Sequence, residues 1–327
     1  NPMLRYACDI ETNGLLHELD RVHSLVLRDL DTNEVISCSN EGNYLPVQFG
    51  LSLLEQADLI VGHNFINFDM RGIAKVYPTF KIKENCDIHD TLIISRVLSP
   101  EMETVDAQKY THIDSKYKGR HSLAAWGERL GVEKIKFTET QTKKTGPKES
   151  VWERWSEEMQ VYCEQDTLVT KVLYEYFQTQ ELDPRCFQLE HEFAAIMTMQ
   201  EDFGFPFNER AAFALVNTLK ARRSEIHDQL QEVFPPIVEE RVSEKTGKKL
   251  KDRVVLFNPG SRQQTAQRLR ERYPEISFSQ TEKGNVKVDD EVLEKLGAKY
   301  PEAKLLAEYQ TLNKRLGQIA EGKEAWL

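Results

Sequence analysis

Alternating or continuous apolar positions over Leu4–Ile10, Val22–Asp29 and Glu34–Cys38 predict three short strands, separated by turn-prone NG and DTN segments. Their close spacing suggests that a sheet begins with antiparallel pairs. The apolar run in Asp58–His63 fits a buried strand, Phe68–Tyr77 a helix, and Asn85–His89 a further strand before Asp90–Leu98. Strands that alternate with helices predict a mixed or parallel sheet. Ser122–Leu130 has helical spacing and stops at Gly131, Thr138–Ser150 is a polar loop with a Gly-Pro break, and Trp152–Gln178 is a long helical region. Beyond it the pattern is almost wholly helical, over Phe187–Asp202, Glu209–Val233, Ser261–Tyr273, Asp289–Leu296 and Pro301–Ile319. GFPF at 204–207 marks a candidate domain boundary. KTGKK, flanked by ERV and RVVLF, reads as the tip of a hairpin.

Composition narrows the class. The chain has 327 residues, 40% hydrophobic and 29% charged, which suits a soluble protein of two domains, each with its own core. Cys8, Cys38, Cys86, Cys163 and Cys186 are odd in number and form no C-x-x-C pair, so a disulfide framework or thiolate zinc site is not expected. No run approaches the ~18 apolar residues of a membrane span, and LRYACDI reads as a strand rather than a signal peptide. A cytoplasmic location and no membrane partner are expected.

Charge is uneven. Residues 1–204 hold 21 Lys+Arg and 34 Asp+Glu, a net of -13, whereas residues 205–327 hold 22 and 19, a net of +3. Arg241 to Arg272 carries ten basic residues against Glu244, Asp252 and Glu271. This segment either grips phosphates or is a solvated charge run.

Three polar elements carry candidate chemistry. Asp9 and Glu11, at i and i+2 near the end of the first strand, share one face and can grip one hard cation. Acid-x-acid pairs also arise by chance on solvated surface. VGHNFINFD runs from an apolar strand into His63, Asn64, Phe68 and Asp69, suiting either ligand contact or the capping of the next helix. Tyr162 and Asp166, at i and i+4, place a phenol and a carboxylate on one helix face.

Taken in order, D-x-E-T, the N…F-D element and Y-x-x-x-D resemble the three exonuclease motifs of the DEDD superfamily, tyrosine subclass, which has a ribonuclease H-like fold and removes nucleotides from 3′ ends. CDIHDTLIISRVL, HSLAAWGERLG, YCEQDTLVTKVL, FGFPF, ARRSE, VVLFNPGSR, VDDEVLE and KRLGQIAEGKEAWL extend the likeness to the family A replicative DNA polymerases of T-seven-like bacteriophages, over nearly the whole chain. The resemblance implies an α/β architecture. Residues 1–185 would form a ribonuclease H-like, mixed-sheet 3′–5′ exonuclease domain, and 186–327 a mainly helical, thumb-like start of a polymerase domain. Palm and fingers motifs are not found, so no polymerisation by this chain and a longer natural polypeptide are expected. The host bacterial cytoplasm is the expected location if the protein is phage-encoded.

The same resemblance implies two Mg²⁺ ions, replaceable by Mn²⁺. Asp9 would bridge them, Glu11 and Asp166 would hold one, and Asp69 would serve the other. Tyr162 would orient the attacking water, because a phenol with a pKa of about 10 is a poor base at neutral pH. Thr12, Leu15, His63 and Asn64 fall where related enzymes touch terminal nucleotides, and turn or packing roles for them stay open. The expected partner is DNA, as single-stranded 3′ ends and primer-template duplex. A short hairpin near 235–253 stands where relatives carry a thioredoxin-binding insertion, so thioredoxin binding is not expected. Its Lys248 and Lys249, with Lys245 and Lys251, would touch the duplex instead. An RNA-directed exonuclease of the same superfamily and a noncatalytic DNA-binding relic are the alternatives.

Overall fold

In the computed structural model, β1 (Arg5–Thr12) divides its side chains between two faces. Tyr6, Cys8 and Ile10 join one core with Leu25, Leu27 and Ile60, while Ala7 packs with Val61 and Tyr174 in another. The structure describes residues 3–132, 150–240, 247–249, 251–280 and 284–327. Antiparallel β2 (Val22–Asp29) pairs with β1, and antiparallel β3 (Val35–Cys38) with β2. On the other edge β4 (Leu59–Gly62) runs parallel to β1, and β5 (Asp87–Asp90) parallel to β4. The sheet order is β3-β2-β1-β4-β5 with β2 reversed, the topology of a ribonuclease H-like fold. All five strands fall within three residues of their sequence expectation. The apolar patterns were strong, and turn residues marked their ends.

Helices cover both faces. α1 (Val47–Leu54), α2 (Asp69–Val76), α3 (Thr91–Leu98), α4 (Met102–Lys109) and α5 (Leu123–Leu130) are each eight residues long. No sequence pattern marks α1 or α4: neither has a side-chain N-cap bond, and both lean on tertiary packing through Leu51, Leu54 and Met102. α5 has the expected ends, Ser122 accepting from Ala125 N and Gly131 at φ 69°. Asp106 of α4 and Arg129 of α5 form a fully buried bidentate pair at 2.7 and 2.9 Å.

The helix that shapes the site is α6 (Glu157–Gln178). It starts later than Trp152 because Ser156 takes the cap, accepting from Met159 N, and Glu157 and Glu158 fill the first turn. Met159, Cys163, Val169, Leu173 and Phe177 form its buried face, and fully burying an aliphatic or aromatic side chain contributes about 1.5–3 kcal/mol. Gln160, also buried, donates to Ser37 Oγ and Cys38 O and so fastens the first turn of α6 to β3.

α7 (Pro184–Phe203) packs on α3. It therefore lies in the first of two compact units, Asn1–Gly204, although it follows residue 185. The division falls in GFPF. In the second unit, Phe205–Leu327, α8 (Glu209–Val233), α9 (Arg262–Arg272), α10 (Asp290–Gly297) and α11 (Pro301–Leu316) share a core around Leu230, Leu269, Leu293 and Leu306. β6 (Ile237–Glu239) and β7 (Arg253–Val255) pair antiparallel as the base of the expected hairpin. Lys245 and Thr246 of its KTGKK tip, with Arg241, and nearly all of the Thr138–Ser150 loop lie outside the described residues. Among the described residues no helix is long and apolar enough to cross a membrane.

Candidate active site

Asp9 and Glu11 lie on the face of β1 that meets α6. Their carboxylates and the thiol of Cys163 form a group whose donor atoms are all within 4.8 Å of one another. Cys163 Sγ donates toward Asp9 O at 3.4 Å and Asp9 Oδ2 at 3.5 Å. One turn spaces Tyr162 from Asp166, and the Tyr162 hydroxyl is hydrogen-bonded to the Asp166 carboxylate. Burial pushes the Tyr162 phenol far above its ordinary value, and the charges of Asp166, Glu11 and Asp9 add to the effect. Burial and the same three carboxylates also push the Cys163 thiol well up. Asp9, Glu11, Asp166 and Tyr162 thus share one electrostatic neighbourhood, although they come from two segments about 150 residues apart in sequence.

The fourth carboxylate arrives differently. Asp69 opens α2, where the helix N-terminus favours negative charge. The β1–β4 register extends to Ala7↔Val61, and beyond it Ile10 N donates to Asp69 Oδ1 at 3.2 Å. Asp69 therefore docks on the strand residue between Asp9 and Glu11. Burial raises its carboxyl well above the usual carboxylate range, and Asp90 contributes further.

The segment leading to Asp69 is held by Asp90, which the sequence reading did not single out as a site residue. Asp90 is fully buried and accepts from Asn64 N at 3.0 Å, Ile66 N at 3.1 Å, and Leu92 N and Ile93 N at the start of α3. An acid directly before the apolar TLIIS helix was the available signal, read only as a helix start. Asn64 takes φ 67°, a left-handed conformation that asparagine tolerates. Gly62 leaves room for Phe65, since a Cβ there would come within 2.6 Å of it. Thr91 Oγ1 donates to Gly62 O, so it accepts from His63 Nδ1 at 2.9 Å.

The remaining candidates lie apart in role. Thr12 is buried and donates to Gly14 O at 2.9 Å, next to a bulge where Thr12 pairs with Val22 and Glu11 with Ser24. Leu15 is 62% exposed at the turn that follows. His23, skipped by that register shift, donates to Trp152 O, and the Trp152 ring stacks edgewise on Tyr162 at 6.2 Å. Lys248 and Lys249 are exposed in the second unit, and Lys249 sits 3.5 Å from Glu240. In the same basic segment Arg272 pairs with Glu302, and Arg268 donates to Pro235 O.

The donor set tests the implied metal. Three carboxylates converge with a hydroxyl and a thiol, the leading charges acting on Tyr162 and Cys163 are all anionic, and among the described residues no thiolate or imidazole cluster competes. That chemistry fits a hard divalent cation that prefers oxygen ligands.

A ribonuclease H-like unit with carboxylates gathered at the end of its first strand is the class that fold and site define. No family model matches the chain. The chain is similar to the DNA-directed DNA polymerase of Escherichia phage T7, 29% identical over an aligned length of 413 residues that covers 98% of this chain and 57% of that protein. To the corresponding polymerase of Enterobacteria phage T3 it is 28% identical over 414 residues, with the same coverage. This is the family the motifs pointed to, and the chain spans a little over half the length of these relatives. Among solved structures, one described as the apo form of the nuclease aligns over 62% of this chain and 89% of that one, at 20% identity and TM-score 0.38. Brucella melitensis NrnC aligns over 63% and 91%, at 18% identity and TM-score 0.39.

Proposed function

We propose that the protein is a 3′–5′ DNA exonuclease that removes nucleotides from single-stranded 3′ ends by metal-dependent phosphodiester hydrolysis, the proofreading part of a phage-type DNA polymerase. The observation that carries this reading is the convergence of Asp9, Glu11, Asp166 and Tyr162, with Asp69 docked on Ile10 between the first two. Similarity to the phage polymerases supports DNA as the substrate.

Asp9, Glu11, Asp69 and Asp166 would hold two divalent cations, Mg²⁺ with Mn²⁺ able to substitute, which lower the pKa of water and neutralise charge on the attacking and leaving oxygens. Tyr162 stays protonated at neutral pH and orients the attacking water by hydrogen bonding. Asp69, anchored on the β1 backbone, keeps its carboxylate fixed relative to Asp9. Thr12, Leu15, His63 and Asn64 would contact the terminal nucleotides, as the motif resemblance implies. Selectivity for mismatches follows from fraying, because an unpaired end reaches the site at lower unpairing cost.

The test is incubation of the purified chain with 5′-labelled single-stranded DNA and Mg²⁺, with EDTA, Asp9→Ala and an RNA strand of the same sequence as controls. A ladder that shortens from the 3′ end, is lost with EDTA or Asp9→Ala, and is much weaker on RNA is expected. Intact DNA in the presence of Mg²⁺ and Mn²⁺ would overturn the reading, and preference for RNA would redirect it to RNA processing.

A further inference from the structure

We propose that Cys163 is a positioning residue for the Asp9 carboxylate, its S–H bond setting how Asp9 meets a divalent cation. The inference rests on the metal-dependent reading above and adds a residue to it. Cys163 lies next to Tyr162 and three residues before Asp166, at the point where α6 touches β1, and it is 0% exposed. Its sulfur is 3.4 Å from the main-chain oxygen and 3.5 Å from a carboxylate oxygen of the same residue, Asp9. A donor shared between the backbone and side chain of one residue fixes the rotation of that side chain relative to the strand. Asp9 is the acid so held, and the Glu11 donor atom lies within 4.8 Å of both groups.

Sulfur suits this place through its size. Contacts of 3.4–3.5 Å are within hydrogen-bonding range for the larger sulfur atom, whereas an O–H···O bond needs about 2.7 Å. A serine oxygen on its shorter bond to Cβ would stop short of the carboxylate unless α6 or Asp9 moved. Serine should therefore restore the function of the thiol only in part, and alanine not at all.

Groups that orient metal-binding carboxylates typically cost 10–100-fold in metal affinity when removed. A thiol is a weak donor, so an effect at or just below the lower limit of that range applies, about threefold to tenfold. A cysteine that merely packs would behave differently: Cys163→Ala would lower the melting temperature and leave ion binding unchanged.

The experiment measures Mn²⁺ binding to the full chain by electron paramagnetic resonance, together with the Mg²⁺ dependence of single-strand hydrolysis. Wild type, Cys163→Ala, Cys163→Ser, Asp9→Asn and the Cys163→Ala/Asp9→Asn double variant are compared, each checked for folding by circular dichroism. Expected are weaker Mn²⁺ binding by about threefold to tenfold in Cys163→Ala, an intermediate value in Cys163→Ser, and no further loss on adding Cys163→Ala to Asp9→Asn. Should Cys163→Ala not fold, Cys163→Ser alone decides by the same shift. Wild-type Mn²⁺ affinity in the cysteine variants, with hydrolysis still abolished by Asp9→Asn, would overturn the role of Cys163 and leave the nuclease reading standing. A wild-type chain that neither binds Mn²⁺ nor cleaves DNA would overturn both.

Discussion

Tyr162 is a phenol whose proton is held by burial and by the negative charges of Asp166, Glu11 and Asp9. It can donate a hydrogen bond across the physiological range and cannot serve as a base there. Tyr162→Phe should therefore slow single-turnover hydrolysis by about tenfold, the worth of one charge-assisted hydrogen bond, while Asp9→Ala falls to background. Equal losses in the two variants would remove this division of roles. Asp90 shows the opposite case, a buried carboxylate whose oxygens are committed to backbone N–H groups of the segment before Asp69 and of α3. Both acids were in the sequence, but only the one in a known spacing pattern was readable as chemistry.

Among the elements, α7 binds the site's scaffold at two points. His191 Nδ1 donates to Phe187 O, so its Nε2 is the acceptor for Asp90 N at 2.7 Å. Arg71 of α2 pairs with Glu201 at 3.0 Å and Asp202 at 2.5 Å near the other end of α7. His89 stands beside this contact, packed edgewise against Phe187 at 4.5 Å and Tyr174 at 5.6 Å. Burial, and then His191, lower the His89 pKa from 6.5 to about 4. The fold therefore favours neutral His89, and its contribution is fully present above pH 6.5. As pH falls toward 4 the unfolded chain takes the proton first, and stability drops by on the order of 2–3 kcal/mol. His191, also lowered by burial, acts with the same sign. Thermal melts from pH 7 to 4 should show a smaller decline for His89→Phe than for wild type, and parallel curves would assign the loss to other groups.

At the scale of the whole molecule, charge separates along the same line as the compact units: Asn1–Gly204 carries a net of -13 and Phe205–Leu327 a net of +3. An acidic first unit accepts phosphate only with its carboxylates neutralised by cations. The second unit offers exposed Lys248, Lys249, Lys251, Arg253 and Arg262, while Arg268 and Arg272 are engaged within the unit. If the hairpin lysines grip a duplex, Lys248→Ala with Lys249→Ala should reduce the slope of log affinity against log salt by about 1.8. An unchanged slope, measured on primer-template DNA by fluorescence anisotropy, would assign those lysines to solvation alone.

The sequence by itself determined the strands, most helices and the mixed sheet, because period-2 and period-3.6 patterns and turn residues act over a few neighbouring positions, while the four carboxylates stood out as candidates only through motifs that resemble a known family. Spacing also sufficed to place Tyr162 and Asp166 on one helix face. Tertiary structure alone decided what those residues touch. The register of β1 on β4 leaves Ile10 N for Asp69, and the seating of α6 on β1 brings Cys163 to Asp9. Packing of α7 on α3 puts a histidine against Asp90. Each of these contacts joins residues between 59 and 154 positions apart. No local propensity encodes such a distance; it is fixed only when apolar faces are buried together.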